Sequence, residues 1–88
     1  MSKINVLFTH HAFEDYQYWQ KQDRKMVKRI NQLIKSIQID GALEGIGKPE
    51  RLKGNLSGFY SRRIDTENRL VYTVVKSQIN IIACRYHY

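Results

Sequence analysis

The sequence predicts an α+β domain, with a two-helix hairpin packed on one face of a small, mainly antiparallel sheet, in the order β-α-α-β-β-β. Three observations predict it. A short alternating segment opens the chain, two capped amphipathic stretches follow, and three alternating segments joined by short turns close it.

Each element has a local cause. Ile4, Val6 and Phe8 alternate with Asn5 and Leu7, as a half-buried strand requires. Thr9 is placed to cap a helix whose Ala12, Phe13, Tyr16 and Trp19 recur at three- and four-residue spacing. Asp23 starts a second helix carrying the stripe Met26, Val27, Ile30, Leu33, Ile34 and Ile37, and Gly41 ends it. A link of about three residues between the helices predicts an antiparallel hairpin. Residues 40–58 hold all five glycines and the only proline, so they read mainly as loop. Residues 60–64, 69–75 and 78–86 then read as three strands, joined near 65–68 and 76–77.

Composition bounds the rest. At 88 residues the chain reads as one domain, 1–88, with a 42% hydrophobic content that supports a single core. No apolar run approaches ~18 residues, so no membrane span is expected. Residues 1–8 alternate too quickly for a signal peptide, and a cytoplasmic protein is the expectation. The one cysteine, Cys84, allows no internal disulfide and sits where a small buried hydrophobe fits. A net charge of +7 suits a polyanion or an acidic protein partner. It is concentrated in 21–35 and 51–88, where basic side chains outnumber acidic ones by six to one and seven to two.

The chemistry-bearing residues fall late in the chain. Glu50 lies in the glycine-rich stretch, Arg62 and Arg63 in one predicted strand, Arg69 in the next, and His87 and Tyr88 at the end. Singly, each has a plain reading. Glu50 is a loop carboxylate, Arg62 and Arg63 are exposed strand cations, Arg69 pairs with Glu67 or Asp65, and His87 is a terminal residue. Together, Glu50, Arg63, Arg69 and His87 can bring a carboxylate, fixed cations and an imidazole onto the uncovered face of one sheet. Arg63 and Arg69 share that face only if their strands join by a three- or five-residue turn or a bulge, because side chains alternate. His10 and His11, with no second ligand cluster, read as surface residues. Tyr16, Tyr18 and Trp19 read as helix packing rather than as nucleobase platforms. The basic residues of the second helix are the better candidates for RNA phosphates.

Several spaced blocks resemble one family. They are Gly47-Lys48-Pro49-Glu50, Leu52-Lys53, Asn55-Leu56-Ser57-Gly58-Phe59, Ser61-Arg62-Arg63-Ile64, Arg69-Leu70-Val71-Tyr72 and Cys84-Arg85-Tyr86-His87-Tyr88, with Asp15-Tyr16 and Tyr18-Trp19 upstream. The chain resembles the YoeB/Txe toxins of the RelE-like superfamily, from bacterial type II toxin–antitoxin systems. The resemblance implies a microbial-ribonuclease-like fold and a ribosome-dependent endoribonuclease that cuts messenger RNA in the A site of the 70S ribosome. It also implies a cognate antitoxin and no cofactor or metal; homodimers are known in the family. By the same resemblance Glu50 is the active-site carboxylate, Arg63 and Arg69 bind phosphate, His87 is the acid and Tyr88 stands beside it. Lys53, Glu67 and Arg62 fall at substrate-binding or supporting positions. Tyr60 and Asn68 stand where the family often has Trp and His, and 40–46 lacks the family's proline–aromatic and basic residues. The competing functions are a non-nucleolytic toxin inhibiting a protein such as DNA gyrase, as ParE-like relatives do, and an RNA-binding module without catalysis.

Overall fold

A computed structural model describes residues 4–86. The elements run β1 (Asn5–Phe8), α1 (His10–Gln22), α2 (Arg24–Asp40), β2 (Glu50–Arg51), β3 (Tyr60–Arg63), β4 (Arg69–Val75) and β5 (Gln78–Ala83), with a single 3-10 turn at Gly54–Leu56. The strands form one sheet in the order β1-β5-β4-β3-β2, antiparallel except for the parallel β1–β5 pair. This is the α+β fold expected, with β1 as the parallel member of the sheet.

The core is the layer between the helices and one sheet face. Met26, Ile30, Leu33, Ile34 and Ile37 of α2 bury against Leu70 and Tyr72 of β4 and Ile79 and Ile81 of β5. These residues recur at helical spacing in α2 and at every second position in the strands, so each element offers the core one apolar face. Thr9 caps α1 as predicted: its hydroxyl accepts from Ala12 N at 3.1 Å and donates to the Ile82 carbonyl at 3.3 Å, tying the helix start to β5.

The structure corrects three details. The helices are linked by Asp23 alone, which serves as C-cap of α1 and N-cap of α2; its carboxylate accepts from Lys25 N at 3.0 Å. Glu50 and Arg51 are not loop but a short edge strand on β3. The last strand stops at Ala83 rather than running to residue 86, because α1 captures the next peptide. Asp15 accepts from Cys84 N at 3.0 Å, and Trp19 Nε1 donates to the Cys84 carbonyl at 2.8 Å. Asp15 is thus a buried carboxylate, 7% exposed, with a role set by a residue far along the chain.

Cys84 itself is fully buried, as expected. Burial, with a smaller contribution from the charge of Asp15, pushes its thiol pKa from 9.0 up to about 12. Folding therefore favours the neutral thiol. That contribution to stability is complete below about pH 9 and is lost as pH rises through about 12. Iodoacetamide is expected to leave Cys84 unmodified in the native protein at mildly alkaline pH and to label it quantitatively in urea. Equal labelling rates in the two states would contradict this burial.

The β3–β4 connection decides the geometry of the open face. It has five residues, 64–68, which is one of the two turn lengths that place Arg63 and Arg69 on the same side. The carboxylate of Asp65 shapes the turn by accepting from Glu67 N at 2.8 Å and Asn68 N at 2.7 Å. Slight burial works against ionisation of Asp65. The Glu67 and Asn68 backbone N–H groups and the Asn68 amide outweigh it and hold the carboxyl below its ordinary range.

Candidate active site

Strand alternation builds the site. Tyr60 and Arg62 point from β3 towards the helices, and Ser61 and Arg63 point the other way. Across the sheet Ser61 pairs with Glu50 on β2 and Val71 on β4, Arg63 pairs with Arg69, and Val71 pairs with Ala83 on β5. A register shift between Val71 and Tyr72 keeps Ala83 in phase on this face. Ser61, Val71 and Ala83 are buried and form its floor. Glu50, Arg63 and Arg69 stand around them.

Arg69 is the centre of the arrangement. Its Nη1 lies 3.3 Å from Glu50 Oε1 and donates to Ser61 Oγ at 3.3 Å. Its partner is therefore Glu50 across the sheet and not Glu67 or Asp65, as local spacing allowed. Its backbone N–H donates to the Tyr86 carbonyl at 2.8 Å, and Tyr86 N donates to Asn68 Oδ1 at 2.6 Å. The chain beyond β5 is thus brought against the start of β4. Tyr86 adopts φ +64, a conformation held in place by these two bonds. His87 and Tyr88, named from the sequence, lie outside the described residues; the residue they follow is this Tyr86.

The remaining sequence-derived residues divide. Arg63 is exposed beside Arg69, and its own N–H is fixed by the Gly47 carbonyl at 2.7 Å. Lys53 is exposed at the start of the 3-10 turn. Glu67 is exposed in the β3–β4 turn, on the wall of a cleft shared with Tyr18, Trp19, Asn68, Arg85 and Tyr86.

Arg62 is a correction. Expected among substrate-binding residues, it is fully buried on the helix side of the sheet. Its Nε donates to the Tyr72 hydroxyl at 2.8 Å and Nη1 to Ser36 Oγ and the Ile46 carbonyl, both at 3.0 Å. Nη2 donates to the carbonyls of Gly41 at 2.7 Å and Glu44 at 2.6 Å. The guanidinium sits at the C-terminal end of α2, where backbone carbonyls carry partial negative charge, and needs no carboxylate in direct contact. Ser36 passes the interaction on, donating to Asp40 Oδ2 at 2.9 Å. Tyr72 shares the clamp, donating to the Ala42 carbonyl at 2.6 Å; burial raises its pKa against the opposing pull of Arg62. Arg62 thus organises the loop 41–47 that leads to Glu50. Gly47 completes the fit at φ +86, where a Cβ would stand 2.6 Å from Leu33 Cδ2 and 3.2 Å from Arg62 Cβ.

Arg24, Lys28 and Lys35 line an open groove on α2 with Gln20, Asn31 and Gln32, away from Glu50 and Arg69. His10 and His11 are exposed, their Nε2 atoms 3.6 Å from Glu14 and 3.5 Å from Asp15. Among the described residues no group of three or more His, Cys, Asp and Glu side chains gathers as a metal site. Nor is any described helix long and apolar enough to cross a membrane.

Sequence reasoning missed Ser61, which takes part in the Arg69 contact, and Asp15 and Tyr86, which steer the terminal segment. Ser61 was legible in principle: the pairing rule that sets Arg63 opposite Arg69 also puts Ser61 on the same face.

A family model described as the YoeB-like toxin of bacterial type II toxin–antitoxin systems matches residues 8–88. Among curated proteins, Toxin YoeB of Synechocystis sp. is 52% identical over 85 residues, covering 97% of this chain and 98% of that protein. Among solved structures, a YoeB dimer from Staphylococcus aureus superposes with a TM-score of 0.93 at 61% identity, covering 99% of this chain and 100% of that one. A YoeB–YefM complex from the same organism gives 0.91 at 60% identity, again over 99% and 100%.

Proposed function

We propose, because this chain belongs to the YoeB-like toxins of bacterial type II toxin–antitoxin systems, that it is a ribosome-dependent endoribonuclease cutting messenger RNA in the ribosomal A site. The observation that carries the reading is the convergence of Glu50, Arg69 and Arg63 on one open sheet face, at the point where Tyr86 is bonded to Arg69. A carboxylate and two guanidiniums over a buried floor match the needs of phosphodiester transesterification.

Glu50 takes the proton of the 2′-hydroxyl as its oxygen attacks the adjacent phosphorus. Arg69, supported by Arg63, holds the phosphate oxygens as negative charge grows on them. His87 gives a proton to the departing 5′-oxygen. The P–O5′ bond breaks as the P–O2′ bond forms, leaving a 2′,3′-cyclic phosphate and a 5′-hydroxyl. Tyr88 orients the scissile phosphate or stacks on a base, and Lys53 and Glu67 act at the margin of the site. Basic side chains on α2 meet ribosomal RNA through its phosphates.

The partners follow the relatives. YoeB of Staphylococcus aureus is solved both as a dimer and in a toxin–antitoxin complex with YefM. For this chain we assign an antitoxin with an acidic, partly disordered segment that orders on the basic toxin, and self-association as a homodimer.

The test is cleavage of an mRNA bound to 70S ribosomes, with the ends mapped, run beside a DNA supercoiling assay. Cuts confined to the A site, with cyclic-phosphate and 5′-hydroxyl ends, are expected. A folded protein that cuts nothing and blocks supercoiling would replace the nuclease with a gyrase inhibitor.

A further inference from the structure

Two side chains of different kinds hold Arg69, and one of them has no part in the proton transfers. Glu50 Oε1 and Ser61 Oγ each lie 3.3 Å from its Nη1. As base, Glu50 gains a proton and with it loses the charge that attracts the guanidinium. Its hold on Arg69 therefore weakens just as negative charge grows on the phosphate. The hydroxyl of Ser61 undergoes no such change.

The sheet register explains why Ser61 can do this. It pairs with Glu50 on one side and Val71 on the other. Arg69 lies two residues before Val71, so it is the diagonal neighbour of Ser61 and a long side chain spans the gap. Arg69 also faces Arg63 directly, and like charges in that position repel. The Ser61 bond opposes that push and keeps the guanidinium over the floor. Ser61 is 1% exposed, and it alone is polar among the floor residues, which include Val71 and Ala83. A buried hydroxyl is costly unless it is bonded. Among the described residues its side-chain partner is Arg69 Nη1. An alanine fills a floor position as well, as Ala83 does two strands away. Packing therefore does not account for a serine here.

We infer that Ser61 is a positioning residue for the cleavage reaction. Its hydroxyl anchors Nη1, so that the edge formed by Nε and Nη2 keeps facing the scissile phosphate while Glu50 becomes neutral. The inference rests on the nuclease reading and names the group that aims its main cation.

The experiment compares wild type, Ser61→Ala, Ser61→Cys, Arg69→Ala and the Ser61→Ala/Arg69→Ala pair in single-turnover cleavage of ribosome-bound mRNA, with urea melts alongside. Ser61→Ala is expected to cut about tenfold more slowly at saturation, the worth of one modest hydrogen bond. The toxin concentration giving half-maximal rate and the urea midpoint should stay near those of wild type. Cysteine keeps the volume but is a weak acceptor, so Ser61→Cys should be as slow as Ser61→Ala. In the Arg69→Ala background Ser61→Ala should cost nothing further, because the hydroxyl then has nothing to aim. A second readout needs no ribosome. In Glu50→Gln, whose neutral side chain stands in for the protonated base, adding Ser61→Ala should lower the NMR order parameter of the Arg69 Nε–H group. A tenfold loss that persists without Arg69, a Ser61→Cys protein as fast as wild type, or an unchanged order parameter each overturns the inference. A wild type that cuts no mRNA removes the nuclease reading, and this role with it, even where the order parameter shows the tether.

Discussion

Replacing Arg69 by alanine is expected to lower A-site cleavage by roughly a hundred- to a thousandfold, the usual effect of losing one preorganised donor to a developing oxyanion. Among the described residues both side-chain contacts of Arg69 use Nη1. The edge formed by Nε and Nη2 is the one available for a phosphate. A lysine offers one charged centre in place of that fork and should recover little of the loss. Folding should hardly notice either change. The Glu50–Arg69 pair is partly exposed, with side chains 54% and 25% accessible, so solvent screening leaves it worth at most about 1 kcal/mol. Single-turnover cleavage paired with a urea melt checks both halves. Cleavage within tenfold of wild type by a folded Arg69→Ala protein would remove Arg69 from the centre of the site.

The neighbouring arginine should behave in the opposite way. Arg62→Met is expected to cost on the order of 4 kcal/mol in urea unfolding, since partly buried carbonyls of the 41–47 loop and the Ser36 and Tyr72 hydroxyls lose their donor together. Each orphaned group costs about 1–3 kcal/mol, against a total stability of about 5–15 kcal/mol for a domain. Lysine should recover part of the loss, because an ammonium can reach some but not all of acceptors spread around a planar fork. An unfolding midpoint equal to that of wild type would show that the loop does not depend on Arg62. Two arginines on paired strands are thus expected to separate into a loss of activity that leaves the fold intact and a loss of the fold itself.

Much of the architecture was legible because it depends on local chemistry. Thr9, Asp23 and Gly41 mark helix ends through capping and φ preference, and they do so wherever the rest of the chain goes. Parity named the condition for Arg63 and Arg69 to share a face but did not fix the turn length. A strand read to Ile64 left four residues before Arg69, and β3 ends one residue earlier, which leaves the five that meet it. The same parity turns Arg62 inward with Leu70, but a guanidinium in a run of polar residues reads as exposed unless its acceptors are known. Those acceptors are backbone carbonyls, which leave no mark in a sequence. The end of β5 was illegible for a related reason. It is decided by Asp15 and Trp19 gripping the Cys84 peptide across a separation of more than 60 residues. Glu50–Arg51 escaped notice because two residues in a glycine-rich stretch carry no strand periodicity.

The sheet order has a consequence for the protein's own birth. β5 is hydrogen bonded to both β1 and β4 and follows every other strand in the chain. While the ribosome still holds that segment, β1 has no neighbour in the sheet, and Cys84 cannot meet Asp15 and Trp19. A nascent polypeptide folds from its N-terminal side as it emerges, but here the closing strand and the Tyr86 latch arrive last. In this topology β1 therefore joins the rest of the sheet only when β5 and the Tyr86 contacts form.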